Sequence, residues 1–253
     1  MSLPPPRTVG SQDSSGAGCC VAGVDGCRAG WIGLTRCAAE PPQAWLEPTA
    51  TALVAVLQAL RPRPQVVLID IPIGLPSAGR RGCDQLARER LGPRRSSVFP
   101  APIRPMLAAA SWEQACQIGD AVEGRRLSRQ AWNITARVSE VDGLLQQRPP
   151  LRGWLREVHP ELSFLAMAGA PLAQAKRTAA GRAQRLELIA AAFGVDAFAD
   201  LRGRFRRSAV ADDDLLDAFA ALWSAERLLR GQALVLPPEP EWDATGLSME
   251  IVS

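Results

Sequence analysis

The chain has 253 residues, 47% of them hydrophobic, with 29 Lys and Arg against 26 Asp and Glu for a formal net charge of +3. That length supports one large α/β domain or two small ones, and a charge so close to balance excludes a dedicated, strongly basic nucleic-acid binder. Any contact with nucleic acid therefore has to come from a local patch, and Lys176, the only lysine, is the one ammonium available to it.

Residues 1–18, MSLPPPRTVGSQDSSGAG, carry no basic segment followed by an apolar one and read as a disordered tail ahead of a single domain over 19–253. No later segment reaches the ~18 uninterrupted apolar residues of a membrane span. The six cysteines, Cys19, Cys20, Cys27, Cys37, Cys83 and Cys116, form no CxxC pair and no zinc spacing. The expectation is a cytoplasmic protein with reduced thiols and no membrane partner.

CVAGVD (20–25) reads as a buried strand, GWIGLTRC (30–37) as a second joined by a short turn, and QAWLEP (43–48) as a third. TATALVAVLQAL (49–60) has helical spacing and stops before Pro62. VVLID (66–70) is a core strand that ends on a carboxylate, Asp70, before Pro72 and Gly74 turn the chain away. A buried, unpaired charge is costly, so that carboxylate has to be neutralised, hydrogen-bonded or ligating. Between about residues 80 and 150 the pattern becomes helical, over 83–92, 111–124 and 128–147, with the proline-rich PRRSSVFPAPIRPM between the first two. This reads as an insertion that covers the crevice and selects substrate. LREVHPELSF (155–164) resumes strand character, AGRAQRLELIAAAFG (180–194) and DDDLLDAFAALWSAERLLRG (212–231) read as helices, and MEIV (249–252) as a small last strand.

The carboxylates are the chemical signal. Asp25 and Asp70 each end a strand, and in an α/β sheet the functional crevice lies at the carboxyl ends of the parallel strands. A right-handed crossover through 49–60 makes the first and fourth strands parallel neighbours, which sets these two acids face to face. Asp214 and Asp217 are spaced i, i+3 on one face of the last helix. Taken singly, Asp25-Gly26 fits an ordinary turn and Asp212 to Asp214 fit a helix cap. Together, acids that repel one another call for a divalent cation, and oxygen donors favour Mg²⁺ or Mn²⁺. In REVHPEL, alternation predicts Glu157, His159 and Glu161 on one side of a strand, with Glu157 or His159 as further catalytic candidates. Arg94, Arg95, Ser96 and Ser97 offer cations and hydroxyls for phosphate, and Lys176, Arg177, Arg182 and Arg185 a second basic surface.

The β-β-β-α-β-α-β-α order, a mixed sheet flanked by helices with a helical insertion between strands 4 and 5, resembles the ribonuclease H-like fold. More closely, the chain resembles the DUF429 family of predicted nucleases of that fold, on VDGCRAGW (24–31), IDIPIGLP (69–76), CDQLARERLGPRRSSVFPAP (83–102), LSRQAWNI (127–134), EVHPELSF (157–164), AKRTAAGRAQR (175–185) and DDDLLDAFAALW (212–223). The acids also resemble those of Holliday-junction resolvases of this fold, which have an acid ending the first strand, another ending the fourth, and a D-x-x-D pair opening the last helix. That resemblance implies a two-metal nuclease in which Asp25 bridges the ions, Asp70 binds one, and Asp214 or Asp217 the other. Its partner would be a nucleic acid or a nucleotide phosphate ester. Two other readings stand beside it. One is a nucleotide-binding phosphotransfer protein of the actin-like ATPase type, suggested by the aspartate and glycines of GVDGCRAGW but not by any P-loop or second copy of the fold. The other is a non-catalytic scaffold of the same fold.

Overall fold

The computed structural model describes residues 19–253; the expected disordered tail, residues 1–18, lies outside them. Strands β1 (Cys20–Cys27), β2 (Gly30–Cys37) and β3 (Gln43–Glu47) form an antiparallel meander. Helix α1 (Ala50–Ala59) follows, its first turn capped by Thr49, whose Oγ1 accepts from the Ala52 amide at 3.1 Å. The chain then returns through β4 (Val67–Ile69), parallel to β1, and later through β5 (Leu155–Glu157), parallel to β4. The five-stranded mixed sheet has the order β3-β2-β1-β4-β5.

Alternation along the strands divides the core into two layers. Val21 and Cys27 of β1 and Leu68 of β4 pack with Leu215, Ala218, Phe219 and Leu222 of α8 (Asp212–Leu229). Behind α8 lie α5 (Pro160–Ala168), α6 (Ala179–Phe193) and α7 (Ala197–Arg202). Ala22, Val24, Val67 and Ile69 face the other way, against Leu53, Val54 and Leu57 of α1. Burying a side chain such as Phe219 or Leu222 completely contributes about 2–3 kcal/mol, so each layer is held by its apolar stripe.

The insertion holds α2 (Gly82–Leu91), α3 (Trp112–Glu123) and α4 (Arg129–Gln147) at the residues expected for helices. For α4 the position differs from the expectation of a cover over the acidic crevice. The stripe Val138, Val141, Leu144 and Leu145 docks α4 beside α1, on the sheet face opposite α8. Glu140 ties that layer together, accepting from the Ala50 amide at 2.6 Å and from Trp31 Nε1 at 3.0 Å.

Two further expectations are corrected. The strand anticipated over 155–164 ends at Glu157, and α5 begins at Pro160, because proline has no amide hydrogen for a ladder but suits the first turn of a helix. The thiols are not all reduced, since Cys20 and Cys37, directly opposite in the β1–β2 register, are joined in a disulfide. Among the described residues no helix is long and apolar enough to cross a membrane. MEIV contributes β7 (Ile251–Val252), which pairs with β6 (Val235–Leu236), a short strand not anticipated from sequence.

Candidate functional site

Register decides which carboxylates meet. Val24, Ile69 and Glu157 are successive partners across β1, β4 and β5, so their side chains point to one face, the layer of α1 and α4. Asp25 and Asp70 each stand one residue further along and point to the other face, towards α8. Their backbones are adjacent, with the Asp70 amide donating to the Val24 carbonyl at 2.9 Å. Gly23, two residues before Asp25 and on the same face, lets α8 lie directly on β1. A Cβ there would sit 2.0 Å from the Leu222 amide nitrogen and 2.6 Å from the Ala218 carbonyl. The first turns of α8 thereby bring Asp214 and Asp217 to the strand ends. Lys176, from the segment before α6, completes the group by donating from Nζ to Asp217 Oδ2 at 3.0 Å.

The electrostatics show how far this group is from neutrality. The Asp25 carboxyl is pushed well above the usual carboxylate range, first by burial and then by Asp70, Asp217 and Asp214, with Lys176 opposing. Burial, followed by the Asp217 charge, raises Asp70 to about 8. Burial also raises Asp217 and Asp214, although Asp214 Oδ2 accepts from the Ala211 amide at 2.8 Å. In return Asp217, with help from Asp70 and Asp25, holds the Lys176 ammonium above its ordinary range. One ammonium cannot offset four carboxylates, so the group takes up protons or a further cation. Its donors are all carboxylate oxygens, and in that chemistry Asp25, Asp70, Asp214 and Asp217 fit a hard divalent ion. Among the described residues, however, no three His, Cys, Asp or Glu side chains are gathered into a ready-made metal cage, and Lys176 is the cation on Asp217.

The acids lie within a stretch that also matches a known family, described as a protein of unknown function (DUF429), whose family model covers residues 23–242. The chain belongs to the DUF429 family. None of the curated proteins and none of the solved structures compared with it matches. The match runs from Gly23, where α8 rests on β1, to Trp242, and so contains every residue of the acidic group.

Other candidates in this DUF429 chain fall elsewhere. Glu157, on the opposite face, is already occupied. Its Oε2 accepts from the Ile73 amide at 2.7 Å and from Arg81 Nη1 at 2.6 Å, and its Oε1 from Arg81 Nη2 at 2.8 Å. Burial raises it to about 7 against the pull of Arg81, and its charge reaches Asp70 only as a minor contribution. His159 and Glu161 do not alternate with it along a strand, because α5 has begun. His159 precedes that helix with its Nδ1 buried and without a hydrogen-bond partner, and burial lowers its pKa. Glu161 lies in the first turn of α5 and pairs with Arg185, and more loosely with Arg94 at 3.6 Å. Arg185 is thus fully buried, stacked 5.2 Å from the Phe164 ring, and is not part of a basic surface. Arg94 and Ser97 are half-buried, with Ser97 Oγ donating to the Arg94 carbonyl at 2.8 Å, while Arg95, Ser96 and Arg177 are exposed.

Two cations that shape the neighbourhood gave no sign in the sequence. Arg137 of α4 donates to the Cys27 carbonyl and, after Ala211 and Lys176, opposes the rise in the Asp214 pKa. Arg81 holds Glu157 and Asp84 together. Arg81 is the extended residue just before α2 and Arg137 lies within α4, and at either place an arginine in solvent has the same local pattern.

Proposed function

We propose that this DUF429 protein is a nuclease-like hydrolase of the ribonuclease H-like fold, which cleaves a phosphodiester or related phosphate ester with Mg²⁺ or Mn²⁺ held by Asp25, Asp70, Asp214 and Asp217. The observation that carries this reading is the convergence of Asp25, two residues before the end of β1, and Asp70, just past the end of β4, with Asp217 of α8, where their mutual repulsion is met by a single ammonium. A meander followed by a crossover strand that returns beside β1 supports the fold.

A bound divalent ion at such a site activates water and stabilises the leaving oxygen. The protein's own residues supply the rest. Asp25, which lies among the other three acids, would be one of the residues holding the ion. Asp70 flanks Asp25 from β4, and Asp214 and Asp217 flank it from α8. Lys176, which donates to Asp217, would also be placed to donate to a phosphate oxygen of the substrate. Glu157 holds the β4–β5 edge through Arg81 and Ile73, and its part is structural.

The test is Mn²⁺ titration by calorimetry on the wild type and on Asp70→Asn, each with and without a short oligonucleotide. Saturable binding that Asp70→Asn abolishes is the expected result. Absence of Mn²⁺ binding to the wild type under both conditions overturns the proposal.

A further inference from the structure

Beside the acidic group, and sharing Lys176 with it, lies a cavity of about 500 Å³ between the N-terminal ends of α6 and α8. Lys176, Arg177, Arg182 and Arg207 line it with Thr178 and Asp212. Asp213 is the second acid of the wall. Lys176 is committed to Asp217, and Arg202 reaches Asp212 Oδ1 at 3.4 Å from behind the wall, so the four guanidinium groups of Arg177, Arg182, Arg202 and Arg207 stand against two carboxylates. Asp212 acts as a brace. Its Oδ2 accepts from Arg182 Nη1 at 3.0 Å and from Arg207 Nη1 at 2.9 Å, which holds two guanidinium groups at one wall. Each guanidinium carries five N–H donors, so one nitrogen on Asp212 leaves donors for an anion. At the rim, Thr178 caps α6 by accepting from the Gly181 amide at 3.0 Å, and Ala179 opens that helix with the orphan amides of a first turn.

We infer that this cavity binds a terminal phosphate, at the end of a single-stranded nucleic acid or on a mononucleotide, and so sets the ester next to it against the acidic group. The inference rests on the hydrolase reading for that second half only; anion binding stands on the cavity itself. Two positive charges beyond neutrality match a phosphate monoester, which carries close to two negative charges at pH 7, better than an internal diester, which carries one. The volume admits a phosphate and part of a nucleoside but no duplex. Lys176 is the link, because the side chain that lines the cavity is the one that holds Asp217.

The experiment titrates inorganic phosphate in EDTA into the wild type, Arg182→Gln/Arg207→Gln, Arg207→Gln alone, and Arg206→Gln, the last an exposed arginine outside the cavity wall. The side chain of Arg207 is 72% exposed, so its single variant keeps the fold even if the double does not. Saturable binding to the wild type, at least tenfold weaker in the double variant, several-fold weaker in Arg207→Gln and unchanged in Arg206→Gln, is expected. No binding to the wild type, or equal loss in Arg206→Gln, overturns the inference. A mononucleotide and an oligonucleotide with and without its terminal phosphate then separate the two sources, and equal affinity for both forms of the oligonucleotide overturns the terminal-phosphate assignment. Phosphate binding in EDTA that survives Asp70→Asn, in a protein that takes no Mn²⁺, retains the anion site and removes the hydrolase reading.

Discussion

Two charged groups flank the same pair of strands. On the α1 side, Arg81 is clasped by Glu157 and Asp84 and also donates to the Ile73 carbonyl at 3.1 Å. On the α8 side, Asp25, Asp70, Asp214 and Asp217 share Lys176. The first group is closed: the guanidinium meets both carboxylates, and every partner is buried. The second is left with surplus negative charge at a partly open edge. Buried ion pairs of the first kind hold a fold together once they exist, whereas uncompensated acids of the second kind oppose folding, and a binding site is a physical reason to keep them.

Removing a partner from the closed group should have the largest effect. Arg81→Met leaves Glu157 and Asp84 buried without a counter-ion, at a cost of about 3–5 kcal/mol. Thermal melts at pH 7.5 should then show a fall on the order of 10 °C. An unchanged melting temperature would erase the distinction between the two groups.

The open group should respond in the opposite sense. Because Asp70 titrates at about 8 in the folded chain and near 3.8 when unfolded, the fold binds the extra proton between those values. Its contribution is present in full below the lower value and is lost as pH rises through the upper one. The metal-free wild type should therefore lose stability from pH 5.5 to 8.5, and Asp70→Asn should flatten that decline and melt higher at pH 8.5, by on the order of 5 °C. A parallel pH dependence in the two proteins would show that Asp70 is not carrying the repulsion.

Lys176→Gln gives the smallest effect, since the side chain is 41% exposed and solvent screens its pair with Asp217 to within about 1 kcal/mol. The expected signature is a loss of stability that is larger at pH 8.5 than at pH 5.5, because the acids around Lys176 have raised pKa values and carry more charge at the higher pH. A shift of equal size at both pH values would assign Lys176 a packing role instead.

Much of this was legible in advance. The meander, α1, the strand leading to Asp70, the three helices of the insertion, α6 and α8 all lie where periodicity and caps placed them, because those signals depend on neighbours within one or two turns. The reading of 155–164 went astray at an apolar run short enough to suit either a strand or a helix, and Pro160 decided for the helix. Arg185 was read as surface because a charged residue normally is, and its burial depends on Glu161 from another helix.

What the sequence determined by itself was the inventory: an acid near the end of the β1 segment and one closing the β4 segment, an i, i+3 pair opening α8, and a single lysine. Local pattern carries such information because each element forms from its own periodicity. What only the tertiary structure decided was which charges face each other. Ile69 and Glu157 are register partners, so Asp70, one position on, turns to α8 while Glu157 turns to Arg81. A one-residue step reverses the face of a strand, and pairing across strands, far apart in the chain, sets where that step falls.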